Sequence, residues 1–590
     1  MTATSTVAVA DDVRRAELPR ARGFERWGLG AYLVVVLALA VAILARLGGR
    51  LVYVLDDPAI HLSIADKLVR HGTWGVAAGS FESASSSPLW TLLVAAGLAV
   101  TPAGAEEWVP LVLNVVAGLG VVVVLGRSQS VLQPTRRTPL EALATVVLVV
   151  VALFLPGLAV VGMEHTLHVL LVLAAVVLVQ QGVTRERQPE AAPAWGPTWL
   201  PYLLLVLATL TRFETAFVAA GLAAGLALAD GDVRAALAAR RRQIAGVVAG
   251  AAVPIVVFAA GNRALGGGLL PNSVLAKGQG GSTGASQNDG LGPSDIVGRL
   301  TQDPLLGALV ALGVVYLIVT WGRPAGHRLT AVTLVVASVL HATLADTGWF
   351  ERYQAYLIAV GVYLVLGILA ELPAEARRRA LLAVVVLVIT FGTAKATLLV
   401  RASRAADDMY RQQYQAGRFL ERYYDGQPIA TDQLGYISYF HEGPVTDFAG
   451  LGDYEVLQEM PGDRAARSDF WQWLTDERGF VVAAVYDTDA ALGAPSSWVL
   501  GGTLHSDGEP VTGVTQNLQI WSTTPDADAV RALHDDLVAF EPELPDRMSL
   551  DINDFAGFQA SAKRDRLALE AMAADAAAAD ADPGADAGSG

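Results

Sequence analysis

Long apolar stretches alternate along this chain with short polar ones. The first runs from about Leu29 to Ala45, and others follow near 109–126, 139–157, 166–182, 197–211, 214–230, 243–261, 304–322, 329–345, 351–370 and 380–399. Most come close to the ~20 residues with which an α-helix crosses a hydrocarbon layer of about 30 Å. The pattern predicts eleven transmembrane helices. A further apolar piece, Leu89–Val100, is shorter and is followed by Thr101-Pro102, so it is expected to cross the bilayer only in part. The first run has no small-residue cleavage site at its end, and other spans follow, so it reads as a signal anchor.

Arg-rich short loops mark the cytoplasmic side of a membrane protein. The N-terminal segment with Arg14, Arg15, Arg20, Arg22 and Arg26 belongs there, as do Arg127/Arg136/Arg137, Arg185/Arg187, Arg234/Arg240/Arg241/Arg242, Arg323/Arg328 and Arg377/Arg378/Arg379. Alternating spans satisfy all of these if Leu89–Val100 does not cross fully. The same count puts 47–88, 158–166, the Arg212–Glu214 junction, 262–303 and Asp346–Arg352 outside, with everything after residue 400.

From about Arg401 the chain turns polar, with short strand-like runs (Pro428–Thr431, Gly479–Tyr486, Leu518–Trp521) between helix-like stretches such as Asp407–Tyr423. These predict a small mixed α/β domain. The end, 572–590, is rich in Ala, Asp and Gly, carries no large apolar residue after Met572, and is expected to be disordered. The expected fold is a polytopic α-helical membrane protein with a small C-terminal extracytoplasmic α/β domain. Its parts are a cytoplasmic segment (1–28), a membrane domain (29–400) with a first outer loop (47–88), the outer domain (401–571) and a tail (572–590).

Composition agrees. The 590 residues are 53% apolar and 17% charged, against roughly 45–50% and 25% in soluble domains. The chain has no Cys, which excludes disulfides, thiolate zinc sites and a Cys nucleophile. A net charge of −15 argues against a nucleic-acid binder, which would be basic.

The candidate chemistry gathers on the expected outer face. An acidic pair ends the first of these segments in Leu55-Asp56-Asp57-Pro58-Ala59-Ile60-His61, with Pro58 placed to open a helix. Adjacent carboxylates repel, which can raise one toward a general base's range; the same residues also suit an ordinary helix cap. Phe81-Glu82-Ser83 and Ser85-Ser86-Ser87-Pro88-Leu89-Trp90 suit a surface loop that could meet sugar hydroxyls and ring faces. Gly162-Met163-Glu164-His165-Thr166 opens a span with an acid and an imidazole, and Thr211-Arg212-Phe213-Glu214 joins two apolar runs. Leu270-Pro271-Asn272-Ser273 leads to Lys277, and Trp349-Phe350-Glu351-Arg352-Tyr353 begins another span. Acids can activate an alcohol, and Arg or Lys can hold a phosphate. A chemistry that needs both is sugar transfer from a lipid-linked phosphate to a hydroxyl.

In this order the motifs resemble the GT-C glycosyltransferases that use polyprenyl-phosphate sugars, over about residues 29–455. The resemblance includes the stretches Thr431-Asp432-Gln433-Leu434-Gly435-Tyr436-Ile437 and Val445-Thr446-Asp447-Phe448-Ala449-Gly450-Leu451. Within that group it looks closest to the actinobacterial cell-wall arabinofuranosyltransferases, with a mannosyl or other sugar transferase of the same superfamily as the alternative. The resemblance implies Asp56 or Asp57 as catalytic base and Arg212, Lys277 and Arg352 as cations for the donor phosphate. It also implies Glu82, Glu164 and Glu214 as groups that orient the sugar or the cations, and His165, next to Glu164, is placed with them. The partners implied are a polyprenyl-phosphate sugar donor, a cell-envelope glycan acceptor and membrane lipid, at the outer face of the cytoplasmic membrane, with inversion. No metal or other cofactor is required by it, though Asp56 and Asp57 could hold a divalent cation. Phe213 stands where relatives often have Pro, His165 where a small residue is usual, and the Trp-Trp-Asp signature of oligosaccharyltransferases is absent. A transporter of lipid-linked sugars would also have many spans. Transporters place polar sites at the midplane, however, and runs such as 109–126 and 304–322 hold no charged residue. A non-catalytic assembly or sensor protein is the third reading.

Overall fold

The computed structural model describes residues 23–77, 79, 81–128, 139–187, 196–228, 233–278, 293–321, 326–513, 515–545 and 548–553. The tail 572–590, most of the N-terminal segment 1–28, and Arg136, Arg137 and Arg323 lie outside the described residues. Nearly every apolar run folds as helix, but not every helix has the length expected. Among the described residues five are long and apolar enough to cross a membrane: Phe24–Arg46, Trp108–Ser128, Pro139–Val161, His165–Glu186 and Val233–Ala264. A sixth candidate is the pair Ala374–Phe391 and Thr393–Tyr424, bent by 53°. The helices Leu200–Thr211, Thr215–Leu228, Pro304–Val319, Arg328–Leu344 and Ala355–Glu371 are shorter, at 10–17 residues. Among the described residues five helices, or six with the bent pair, are thus long and apolar enough to span, against the eleven expected.

The differences have local causes. Leu200–Thr211 stops because Arg212 adopts an extended backbone and turns its side chain toward other charges. Ala355–Glu371 starts four residues later than the apolar run because Gly348, Trp349, Phe350 and Glu351 all have positive φ. The run expected at 380–399 breaks at Gly392. Pro88–Leu98 has 11 residues and is about 16 Å long at 1.5 Å per residue, short of a bilayer's ~30 Å.

Thr215–Leu228 packs closely on Arg328–Leu344 through Gly221 and Gly225, a small-xxx-small pair. A Cβ on Gly221 would lie 2.7 Å from the Thr333 carbonyl oxygen and 2.8 Å from its Cα. That contact is backbone on backbone, which cannot move aside, and such close approach is how helices associate without a hydrophobic drive.

The C-terminal region holds a six-stranded sheet. Its strands are β1 (Ile429–Thr431), β2 (Val445–Asp447), β3 (Val482–Tyr486), β4 (Val499–Ser506), β5 (Asn517–Ser522) and β6 (Met548–Ile552), in the order β2-β1-β3-β5-β4-β6. β1 runs parallel to β2 and β3; the β3–β5, β5–β4 and β4–β6 pairs are antiparallel. Alternate residues feed two cores. Val482, Ala484 and Tyr486 join Phe419, Leu533 and Leu537, while Ala483 and Val485 join Trp471, Trp498 and Trp521 on the other face. Helix Thr393–Met409 passes residue 401 and continues through a π-turn at Tyr410–Tyr414 into Gln415–Tyr424, so helix joins the bundle to the sheet directly.

Gly221→Val should cost about 1–3 kcal/mol, the usual range for overpacking, seen as a lowered melting temperature of the detergent-purified protein. An unchanged melt would mean the two helices are not packed this tightly.

Candidate functional site

The acidic pair sits where the chain enters helix Asp57–His71, with Pro58 in its first turn. The two carboxylates diverge. Asp56 points at the start of helix Leu434–Phe440, where its oxygens accept the N–H groups of Gly435 at 2.7 Å and Tyr436 at 2.9 Å. A Cβ at position 435 would lie 2.3 Å from the Asp56 carbonyl oxygen, so only glycine allows this approach. Burial pushes the Asp56 carboxyl up to about 6, against the pull of the Tyr436 and Gly435 N–H donors. Tyr436 Oη accepts the Tyr53 N–H at 3.1 Å, and Ser63 donates to the Ser438 carbonyl at 3.0 Å. Ile60, Ile64, Val76, Ala84 and Leu434 pack into one apolar cluster beside these bonds. Asp56 is therefore a clamp between the first loop and the C-terminal region.

Asp57 faces the other way, and its side chain is 39% exposed. Arg352, 4% exposed, meets it with both terminal nitrogens, at 3.1 Å to Oδ2 and 3.3 Å to Oδ1. Such a two-point pair fixes orientation as well as energy. Arg352 also bonds the Tyr353 hydroxyl at 3.0 Å and approaches Met163 Sδ at 2.7 Å.

The Tyr353 ring joins this pair to a second cluster. The Arg352 guanidinium lies 4.9 Å from the ring centre and that of Arg212 lies 5.4 Å from it. Arg212, buried, bonds Glu164 Oε1 at 2.6 Å, His165 Nε2 at 2.9 Å and the Glu214 carboxylate. His61 Nε2 lies 3.7 Å from Glu164 Oε2, and its Nδ1 is 3.2 Å from Thr91 Oγ1. The structure thus brings together Asp57, Arg352, Arg212, Glu164, His165 and Glu214 of the expected residues. Three carboxylates meet two guanidiniums here, so an anionic ligand would need a further cation.

One expected residue is placed differently, and the side chain of another is not described. Glu82 accepts the Val76 N–H at 2.8 Å, closing the 74–82 loop on itself. Lys277 lies in helix Asn272–Gly278, whose Asn272 N–H donates to the Ser83 carbonyl at 3.0 Å; its side chain lies outside the described residues. Asp56 and Asp57 have different partners, and among the described residues no three His, Asp or Glu side chains are placed to hold a metal ion. A cavity of about 520 Å³ opens elsewhere, lined by residues including Arg50, Asp66, Arg70, Tyr414 and Arg418, and none of the expected residues lines it.

Sequence reasoning missed Asp303 and Lys395, an enclosed ion pair at 2.8 Å. The signal was present: Lys395 is a lysine inside an apolar run, which needs a partner or a role.

Fold and site together define a chain with several helices long and apolar enough to cross a membrane, a helix-joined α/β region, and a buried ion network among residues 57–352. Residues 404–527 match a family described as a domain of unknown function (DUF8728). No curated protein matches the chain. Similar solved structures include the oligosaccharyltransferase of Archaeoglobus fulgidus in the apo form, with 13% identity over 87% of this chain and 78% of that one, at a TM-score of 0.44. The archaeal oligosaccharyltransferase AglB from the same organism, in complex with an inhibitory peptide and a dolichol-phosphate, has 12% identity over 81% and 73%, at 0.43. ArnT from Cupriavidus metallidurans bound to undecaprenyl phosphate has 13% identity over 84% and 98%, at 0.46. At that degree of likeness, function has to be argued from the site's own geometry.

Arg212→Met should destabilise by about 3–5 kcal/mol, because it strands Glu164 as a buried charge. Adding Glu164→Gln should recover part of that loss. Thermal unfolding of both variants measures the difference; equal melts for the single and the double variant would remove the pairing argument.

Proposed function

We propose that the chain is a membrane glycosyltransferase. It moves a sugar from a polyprenyl-phosphate donor to a hydroxyl of a cell-envelope glycan, at the outer face of the cytoplasmic membrane. The observation that carries this reading is the divergence of the acidic pair: Asp56 spends both oxygens on backbone N–H groups, while Asp57 stays partly exposed beside the buried Arg352 guanidinium.

Asp57 is the base in this reading. It takes the proton of the acceptor hydroxyl as that oxygen bonds the anomeric carbon. The bond from that carbon to the phosphate oxygen breaks, and its electron pair leaves with the lipid phosphate. Arg352 and Arg212 stabilise the charge that builds there, and Lys277, on a helix held against the first loop, supplies the third cation. Attack opposite the leaving phosphate inverts the anomeric centre. A carboxylate held at both oxygens by a guanidinium is a weak base. Donor phosphate that draws Arg352 onto itself frees Asp57 for the acceptor, so donor binding precedes proton transfer. Glu164, His165 and Glu214 hold Arg212 in place, and Glu82 shapes the loop that faces the sugar. The resemblance to the actinobacterial cell-wall arabinofuranosyltransferases is the ground for arabinofuranose as the sugar.

The test is transfer by purified protein in lipid, with a panel of polyprenyl-phosphate sugars and a glycan acceptor. Asp57→Asn should lower kcat by roughly 10²–10⁴-fold, the usual contribution of a general base. Asp56→Asn should weaken the clamp and lower the melting temperature with a smaller loss of rate. A folded Asp57→Asn protein that transfers sugar normally would falsify the base assignment. Movement of the lipid-linked sugar across vesicles with no glycosidic product would make the protein a transporter instead.

A further inference from the structure

A second group of enclosed charges stands behind Arg352. Lys395, 2% exposed, lies in helix Thr393–Met409, just past the break at Gly392. Its ammonium is 2.8 Å from Asp303 Oδ2 and also bonds the Glu351 carboxylate. Gln354 Nε2 donates to both acids, at 3.2 Å to Asp303 and 2.8 Å to Glu351. Its Oε1 accepts the Gly348 N–H at 3.1 Å. The other oxygen of Asp303 accepts the Leu305 and Leu306 N–H groups at 3.0 and 3.2 Å, which fixes this acid to the start of helix Pro304–Val319.

These bonds close over a turn with an unusual backbone. Gly348, Trp349, Phe350 and Glu351 have φ of 85°, 45°, 59° and 61°. Only the first is glycine, and residues with a Cβ stay in this region only where their surroundings over-determine it. The next residue is Arg352, the partner of Asp57. A buried lysine is costly to enclose, and an apolar side chain would fill the same space without that cost. Holding the turn is the return that the geometry offers for it.

We propose that Lys395, Asp303 and Gln354 are positioning residues: through Glu351 and Gly348 they hold the left-handed turn that keeps Arg352 on Asp57. The inference rests on the reading of Asp57 as base. It also gives the C-terminal region two holds on one pair. Lys395 sits on the helix that continues into Gln415–Tyr424, and Asp56, the neighbour of Asp57, is bonded to Gly435 and Tyr436.

The experiment compares Lys395→Met, Gln354→Leu and the double variant Lys395→Met/Trp349→Gly with the parent protein, each as full-length protein purified in detergent and normalised to its folded, monodisperse fraction. Gln354→Leu leaves Lys395 paired with both acids, so it tests the turn even where Lys395→Met folds poorly. Two readouts are taken: hydrogen exchange of the 348–352 amides, which does not depend on any activity, and sugar transfer. Exchange in that segment should rise at least tenfold in both single variants, and kcat should fall at least tenfold. Trp349→Gly, which relieves the left-handed strain at an exposed position, should return part of both losses in the Lys395→Met background; a general loss of stability would not be repaired there. Unchanged exchange in the folded variants, or no recovery with glycine, overturns the proposal. Asp57→Asn measured alongside separates the two claims. Loss of transfer there with a normal rate in Lys395→Met overturns only this inference. A normal rate in Asp57→Asn overturns the base reading, and the exchange data still decide whether Lys395 holds the turn.

Discussion

A charge removed from water has to be paired, and this constraint organises the structure around Arg352. An ammonium or guanidinium beside a carboxylate at about 4 Å gains roughly 4 kcal/mol at an effective dielectric of 20. Removing one partner leaves the other stranded at greater cost. Arg352 and Arg212 are 4% and 6% exposed, so neither can relax into solvent. Each must find acids, and the acids come from distant parts of the chain: Asp57 from the first loop, Glu164 from the start of a long helix, Glu214 from a break between two short ones. The ion network therefore fixes tertiary structure where apolar packing alone would leave helices free to slide, since Leu and Val gain little by exchanging lipid for one another.

The same constraint explains the irregular backbone near the site. Arg212 ends its helix in an extended conformation, and Arg352 follows four residues of positive φ. Left-handed backbone costs about 1–2 kcal/mol for each residue with a Cβ, so Trp349, Phe350 and Glu351 together store several kcal/mol. That strain persists because Phe350 packs on Phe154, at 5.8 Å between ring centres, and Glu351 is tied to Lys395 and Gln354. Two clusters of buried charge are thus consecutive parts of one arrangement: the first contains the Asp57–Arg352 pair, and the second ties the turn that immediately precedes Arg352.

Much of this was legible in the sequence because hydrophobic runs and charged interruptions are local signals. Asp57, Glu164, His165, Arg212, Glu214 and Arg352 each break or flank an apolar run, which is why reading for costly charges found them together. The division of labour in the acidic pair was not legible. It depends on Gly435 and Tyr436, some 380 positions away, and adjacent Asp residues look alike until a helix start claims one of them. Trp-Phe-Glu gave no warning of a left-handed turn, since none of these residues favours it; tertiary bonds impose it. Strands β2, β4 and β6 escaped notice: Val445–Asp447 has only three residues, Val499–Ser506 carries Gly501 and Gly502 at a register shift, and Met548–Ile552 lies at the sheet edge, where pairing with neighbours outweighs intrinsic preference. Helix lengths were overestimated for a related reason, as apolar composition continues past the points where Arg212, the Glu351 turn and Gly392 stop the helix.

Asp303 and Lys395 mark the limit of reading charges one at a time. Lys395 lies in a run that hydropathy alone assigns to lipid, and Asp303 precedes a Pro, where an acid is expected simply to cap a helix. Asp303 does both jobs, with one oxygen on the Leu305 and Leu306 amides and the other on Lys395. Divided acceptance of this kind lets a single carboxylate lock a helix start to a distant cation. Asp56 makes the opposite choice, giving both oxygens to one helix start and keeping none for a cation. The contrast separates the roles of acids that sequence alone treats as equivalent. An acid whose oxygens are all spent on backbone is a structural clamp, one divided between backbone and cation is a strut, and Asp57 differs from both in being partly exposed and met at both oxygens by the Arg352 guanidinium.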